Sequence, residues 1–99
     1  MPSATIVDPL GRQITLHDHT WFGHILKGHP DMNGYRQEAE RTVARPLEIQ
    51  ISTSDADCRV YYGQPSAKGI MVAVVADVVI GIVKTAYLTN KKKNGVIEW

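Results

Sequence analysis

The four histidines of the chain lie close together in the sequence, between positions 17 and 29. They are His17, His19, His24 and His29. Because the imidazole pKa lies near neutrality, histidine is the side chain best suited to carry protons in general acid–base catalysis, and it is also a common metal ligand. This cluster is therefore the first candidate for chemistry in the sequence.

A zinc site is one alternative for these histidines, since His17-x-His19 followed by His24 and His29 superficially resembles a ligand set. Structural zinc, however, is usually bound by cysteines at tight paired spacing. The single cysteine, Cys58, lies in an apolar strand-like run, and we expect it to be a small buried hydrophobe rather than a nucleophile. The expectation is that the chain binds no metal and needs no cofactor.

A second set of polar side chains lies in strand-like segments. Arg59 and Tyr61 share a face at period 2, and Thr85 and Tyr87 do likewise. An arginine can hold a phosphate bidentately and stabilise its growing charge, and nearby hydroxyls can donate hydrogen bonds to it. Lys84 points away from Thr85 in a regular strand, so a joint role requires a bulge. The alternative is that the tyrosines are ordinary sheet aromatics.

The first element that must position these residues is a short hairpin. Two strand-like runs, Thr5 to Asp8 and Gln13 to Leu16, flank the turn Asp8-Pro9-Leu10-Gly11. Proline presets φ and glycine accepts positive φ, so this tetrapeptide is typical of a tight turn.

A helix from Trp21 to Gly28, with Thr20 as its N-cap, is expected to carry the histidines. Its apolar face comprises Trp21, Phe22, Ile25 and Leu26. If the helix ran on, His29 would lie near the centre of this face and His24 would point away from it. Two interpretations stay open: His29 is a partly buried structural residue and His24 is exposed, or the helix end brings both to the margin of a cleft.

The rest of the chain changes from helical to strand periodicity at Pro46. A second helix, from about Met32 to Arg45 and capped by Asp31, ends there. Leu47, Ile49 and Ile51 then alternate with polar residues, which predicts a half-buried strand. Further strands are expected over 58–63, 70–76 and 79–87, with a last short strand or a tail over 96–99. Strands grouped after helices favour an α+β fold with an antiparallel sheet.

Length and composition indicate one soluble globular domain spanning residues 1–99. The chain is 43% hydrophobic and 21% charged, with a net charge of +1, so no global basic field attracts nucleic acid. Two basic clusters are open to both interpretations, solvated surface or phosphate contact. They are Arg36, Arg41 and Arg45, and Lys91, Lys92 and Lys93.

The compartment is expected to be cytoplasmic, without a membrane contact. One cysteine permits no internal disulfide, and the start Met-Pro-Ser-Ala does not have the pattern of a leader peptide. The most apolar stretch, Gly69 to Val83, is interrupted by Asp77 and is too short to cross a bilayer.

Three segments together resemble a known family. The run Trp21-x-x-His24-Ile25-x-x-x-His29-Pro30-Asp31-Met32 is similar to the W-x-x-H-I-x-x-x-H-P-E pattern of phage-associated nuclease-like domains of the barnase-EndoU-colicin-RelE-like group. Arg59-Val60-Tyr61-Tyr62 resembles the R-x-Y-Y strand of that group, and Lys84-Thr85-Ala86-Tyr87 resembles its T-A-Y end. The segments follow the order of the family, and Asp31 stands where the family has glutamate.

This resemblance implies a fold and an activity. The fold is an N-terminal hairpin and two helices packed on a curved antiparallel sheet of about four strands. The activity is metal-independent RNA cleavage by the ribose 2′-hydroxyl, as in a phage or prophage toxin, for which an antitoxin or immunity protein is a conceivable partner. His24 or His29 would act as general acid or base, Arg59 would neutralise the phosphate, and Thr85 and Tyr87 would position it. Tyr61 and Lys84 would contact the substrate.

Two other classes of function compete with a ribonuclease. A non-catalytic module on the same fold, binding RNA or protein, would have its histidines in the core and Arg59 paired with a carboxylate. A subunit of a phage particle or complex would carry a large exposed apolar patch.

Overall fold

The computed structural model describes residues 3–99 as one mixed sheet with two helices. Met1 and Pro2 lie outside the described residues. They belong to the run Met-Pro-Ser-Ala, for which no leader peptide was expected. The strands are β1 Ser3–Val7, β2 Gln13–His17, β3 Glu48–Ile51, β4 Cys58–Tyr62, β5 Met71–Asp77, β6 Ile82–Thr89 and β7 Val96–Ile97. The first helix, α1, covers 18–28 as Asp18–Thr20, a π-helical segment Trp21–Ile25 and Leu26–Gly28. A 3-10 turn, Pro30–Met32, precedes α2, Arg36–Ala44.

The expected hairpin is confirmed, but the sheet is larger than expected and is not purely antiparallel. Its order is β1-β2-β6-β5-β4-β3-β7, so the hairpin joins the same sheet as the later strands. The pairing of β2 with β6 is parallel and is limited to Thr15 opposite Ile82. Local periodicity predicted the single strands, but the pairing between the hairpin and β6 depends on residues 67 positions apart in sequence.

The sheet separates two apolar clusters. On the face that we call the helix face, side chains from both helices pack against the sheet. This cluster includes Trp21, Ile25 and Val43 from the helices, with Tyr61 and Val74 from the strands. A smaller cluster on the opposite face comprises Val60, Tyr62 and Ala73, with Val75 and Tyr87 packed against it.

The boundaries of α1 differ from the expected ones. The helix begins at Asp18 with His17 at its N-cap, so Thr20 lies inside it and caps nothing. Phe22, expected on the buried face, is 59% exposed. In the π-helical segment the N–H of Leu26 bonds to the carbonyl of Trp21, five residues back, so each residue turns by less than the 100° of an α-helix. That change of phase keeps Trp21 and Ile25 buried and leaves Phe22 outside.

The second helix is shorter than expected. Asp31 lies in the 3-10 turn instead of capping α2, and Tyr35 occupies the N-cap position. Gly34, with φ near +89°, separates the two helical pieces because it adopts a conformation that breaks a right-handed helix.

Strand β3 is covered on both faces, which corrects the half-buried prediction. Ile49 is fully buried on the helix face, while Leu47 lies before the strand and is 43% exposed. Gln50 is buried on the opposite face, where its amide oxygen accepts a hydrogen bond from the N–H of Gly95. The connection from β6 to β7 therefore crosses this face of the sheet.

The sheet curls strongly. In a flat sheet β2 and β7, five places apart, would be separated by about 24 Å. Yet Arg12, just before β2, bonds through Nη2 to Oε1 of Glu98, just after β7, at 2.7 Å. Among residues 3–99, no helix has the length and apolar character needed to cross a membrane.

Candidate functional site

The structure divides the seven candidate residues into three separate groups. Arg59 and Tyr61 lie in an ionic network on the helix face, His24 and Lys84 line a depression beside α1, and the remaining three lie on or near the opposite face of the sheet. Those three are His29, Thr85 and Tyr87. The expectation that Arg59, Tyr61, Thr85 and Tyr87 form one phosphate site is therefore wrong.

Arg59 and Tyr61 belong to a chain of charge-assisted hydrogen bonds. The hydroxyl of Tyr61 donates to Asp8 at 2.6 Å, and Nε of Arg12 donates to the same carboxylate oxygen at 2.7 Å. Arg12 also holds Glu98 with both terminal nitrogens, at 3.2 and 2.7 Å. Nε of Arg59 completes the chain at 2.9 Å from Glu98. Both residues are thus engaged within the protein.

The charges of this network are stabilised in place. Burial alone would raise the pKa of Asp8, but hydrogen bonds from Tyr61 and Arg12 outweigh it and lower the pKa. Glu98 likewise has a lowered pKa, because the hydrogen bonds from Arg12 and Arg59 outweigh its burial. Burial, followed by the bond to Asp8, raises the pKa of Tyr61, so this phenol stays protonated. A neutral, fully buried phenol has no access to substrate.

Register shows why Arg59 cannot work with Thr85. Arg59 lies opposite Ala76, which lies opposite Val83, on the helix face. Thr85 lies opposite Val75, whose other neighbour is Val60, on the opposite face. The sheet therefore separates the guanidinium from the hydroxyls of Thr85 and Tyr87.

Lys84 lies in a bulge of β6. Val75 pairs with Thr85 and Ala76 with Val83, which leaves Lys84 without a partner in the register. A bulge at this place is the condition under which Lys84 and Thr85 could act together. Lys84 is exposed and lines a depression of about 470 Å³ together with His24 and His19.

His24 is exposed on α1, as one of the two interpretations predicted. His29 is only partly buried at the end of the helix, so neither histidine lies in the core. His24 lines the depression beside α1, whereas the ring of His29 contacts Tyr87 of β6.

His29 contacts Tyr87, and this pair is the centre of the candidate site. The ring centroids lie 5.9 Å apart with a tilt of 36°. Burial raises the pKa of Tyr87, and the neighbouring phenol of Tyr62 raises the pKa further. Tyr87 is therefore a proton-bearing donor at neutral pH. Thr85 lies one pleat away on the same face of β6.

The basic segment 91–93 lies beside these tyrosines. The backbone N–H of Lys93 donates to the hydroxyl of Tyr62 at 3.0 Å. Lys92 pairs with Glu48 at 2.8 Å, whereas Lys91 and Lys93 have no ion-pair partner within residues 3–99. Tyr62 was not among the predicted site residues, whereas the lysine run was one of the two basic clusters open to phosphate contact. The available signal was the position of the lysine run, directly after the strand that carries Thr85 and Tyr87.

The other basic cluster contributes to the helices instead. Arg36 pairs with Asp18 at 2.6 Å and lies over the ring of Trp21 at 5.9 Å, which ties α2 to α1. Arg41 pairs with Glu38 on the surface of α2. These two arginines therefore have a structural role, which accounts for the basic cluster without a phosphate contact.

The remaining reactive residues do not form a metal centre. His17 stacks on His19 with ring centroids 5.2 Å apart, and Oγ of Ser3 lies 3.1 Å from Nδ1 of His17. In the described part of the chain, no three His, Cys, Asp or Glu side chains are grouped as metal ligands. Cys58 is buried, and burial, followed by the charge of Asp55, raises the pKa of its thiol.

Comparison with known proteins identifies no relative. No protein family model, no curated protein sequence and no solved structure matches this chain.

Proposed function

We propose that the protein is a metal-independent ribonuclease whose active site is centred on His29 and Tyr87. The observation that carries the proposal is the contact between a partly exposed histidine ring and a protonated phenol, 5.9 Å apart between centroids. The sequence pattern around His29 and around Thr85-Ala86-Tyr87, which resembles that of barnase/RelE-like nuclease domains, supports the same residues.

In the proposed reaction, His29 takes the proton from a ribose 2′-hydroxyl. The 2′-oxygen then attacks the adjacent phosphorus, the bond to the 5′-oxygen breaks, and this oxygen takes a proton from solvent. The products are a 2′,3′-cyclic phosphate and a 5′-hydroxyl end. Tyr87 and Thr85 donate hydrogen bonds to the phosphate oxygens, where negative charge grows in the transition state.

In this proposal the lysine segment 91–93, and not Arg59, neutralises the charge of the phosphate. Arg59 is bound to Glu98, whereas Lys91 and Lys93 have no carboxylate partner among the described residues and follow directly on β6. An ammonium group can neutralise a phosphate as a point charge, although it lacks the bidentate geometry of arginine.

The wider assignments belong to the same proposal. Membership of the barnase/RelE-like fold group is supported by the α+β architecture and by the order of the three motifs along the chain. A role as a phage or prophage toxin, with an antitoxin or immunity protein as partner, follows only if RNA cleavage is found.

The decisive experiment is RNA cleavage by the purified protein in the presence of a chelator. We expect 2′,3′-cyclic phosphate products, and a loss of about 10²-fold in rate for His29→Ala, the usual scale for a lost general acid or base. His19→Ala is the matched control, because it removes an exposed histidine from the same helix, away from Tyr87. A folded His29→Ala protein with the parent rate would exclude the assignment.

A binding module is the second candidate, and the pairing of Arg59 with Glu98 favours it. In that case the protein cleaves no RNA under any condition but still retains RNA or a protein partner. Salt-dependent retention of labelled RNA in a filter-binding assay, without any cleavage, would identify an RNA-binding module, because phosphate contacts weaken steeply with salt.

A further inference from the structure

A depression of about 570 Å³, which neither His29 nor Tyr87 lines, lies at the end of β6. It is bounded by the 3-10 turn, the start of α2, the loop 64–70 and the end of β6. Its lining includes Asp31, Tyr35, Ser66, Lys68, Leu88 and Asn90. Its volume falls within the range of small-molecule sites.

Two charged groups on its rim are free to bind a ligand. Asp31 and Lys68 form no ion pair with any residue in the described range 3–99. By contrast, every glutamate in this range forms an ion pair with a lysine or an arginine. Tyr35, at the N-cap of α2, is 38% exposed and offers an aromatic ring. Leu88 and the partly exposed Ile70 supply an apolar floor.

The opposite rim is already ordered. Oγ of Ser66 accepts hydrogen bonds from the N–H groups of Lys68 and Ile70, at 3.3 and 3.2 Å. The N–H of Ser66 in turn donates to the carbonyl of Ile70 at 2.8 Å. Gly69, with φ near +79°, makes this tight turn possible. Lys68 is therefore presented on a defined turn, which reduces the ordering that binding would require.

We infer that this depression is the subsite for one nucleobase of the RNA, an inference that rests on the proposed function. The base would stack on Tyr35, its donor groups would bond to Asp31, and Lys68 would contact its phosphate. Asp31 lies in the 3-10 turn that His29 caps, which links the proposed base subsite to the proposed general base.

Nucleoside 3′-monophosphates test this inference without any need for cleavage. We expect amide chemical shifts of Tyr35, Lys68 and Asn90 to change in an NMR titration with at least one of the four common nucleotides. Tyr35→Phe should bind like the parent, and Tyr35→Leu should bind about tenfold more weakly, the scale of one lost base–aromatic stack. Phe22→Leu is the matched control, because it removes an exposed aromatic ring elsewhere.

The outcomes separate the subsite from the proposed reaction. Shift changes in the depression without RNA cleavage would support the subsite and overturn the ribonuclease. RNA cleavage without shift changes in the depression, or with equal binding by Tyr35→Leu, would overturn the subsite alone. If Tyr35→Leu does not fold, Lys68→Gln, an exposed residue without an ion pair, provides the second test, and unchanged binding there would overturn the phosphate contact.

Discussion

Single side chains that resembled a phosphate site in the sequence turn out to stabilise the fold. Tyr61 is the clearest case, because its hydroxyl donates to the buried carboxylate of Asp8. One carboxylate oxygen accepts the N–H groups of Leu10 and Arg12 in the hairpin turn, and the other binds Tyr61 and Nε of Arg12. A turn residue in the sequence is thus also the buried anchor between the hairpin and β4.

Removing the hydroxyl of Tyr61 tests this anchor. Tyr61→Phe deletes a hydrogen bond to a buried carboxylate, so we expect the free energy of unfolding to fall by about 2 kcal/mol. Urea denaturation measures the change. Tyr35→Phe serves as control, since it removes a hydroxyl at the surface and should leave the urea midpoint unaltered. Equal stability of the two variants would show that the Asp8–Tyr61 bond contributes nothing.

At the scale of elements, the decisive contact is the short parallel pairing of β2 with β6. The N–H of Thr15 donates to the carbonyl of Gly81 at 2.8 Å. Gly81 has φ near +73°, and a Cβ there would lie 2.6 Å from the carbonyl oxygen of Gln13. Both the turn before β6 and the close approach of β2 therefore need glycine at this position.

Replacing Gly81 should destabilise the join between the hairpin and the rest of the sheet. We expect Gly81→Ala to lower the free energy of unfolding by about 2 kcal/mol or more, from unfavourable φ and backbone overlap. Gly23→Ala provides the comparison, because a Cβ at Gly23 meets nothing within 4 Å and alanine favours helix. Thermal unfolding of both variants gives the answer, and a Gly81→Ala protein as stable as the parent would contradict the role of this contact.

At the scale of the whole molecule, the ionic network closes the curled sheet. Glu98, next to β7, is held by Arg12 from the hairpin and by Arg59 from β4, so it joins three parts of the chain. Because Asp8 and Glu98 have lowered pKa values in the folded protein, they bind protons more weakly there than in the unfolded chain. Protonation therefore favours unfolding.

This linkage predicts a definite pH profile. Stability from Asp8 and Glu98 should be fully present above their ordinary pKa values of 3.8 and 4.5, and it should be lost as pH falls through the lower folded values. Urea midpoints measured between pH 7 and pH 2 report this loss of stability. Glu98→Gln should be less stable than the parent at pH 7, with a smaller difference at low pH. Glu38→Gln, which removes an exposed pair, should follow the parent profile.

Several local elements, and the exposure of His24, could be predicted from the sequence. The turn at Asp8 to Gly11, the change of period after Pro46 and the β5–β6 hairpin follow from propensity and periodicity, which act over neighbouring residues. The proximity of His29 to a helix end followed in the same way.

Which of the candidate residues lie together depends on tertiary contacts. Arg59 and Thr85 are separated because strand pairing sets the face of each side chain, and the bulge at Lys84 places Thr85 on the face opposite to that of Val83. Glu98 lies 39 residues from Arg59 and 86 from Arg12, so no local pattern could reveal that it occupies both arginines. The contact of His29 with Tyr87 arises in the same way, because it forms only when α1 packs against β6.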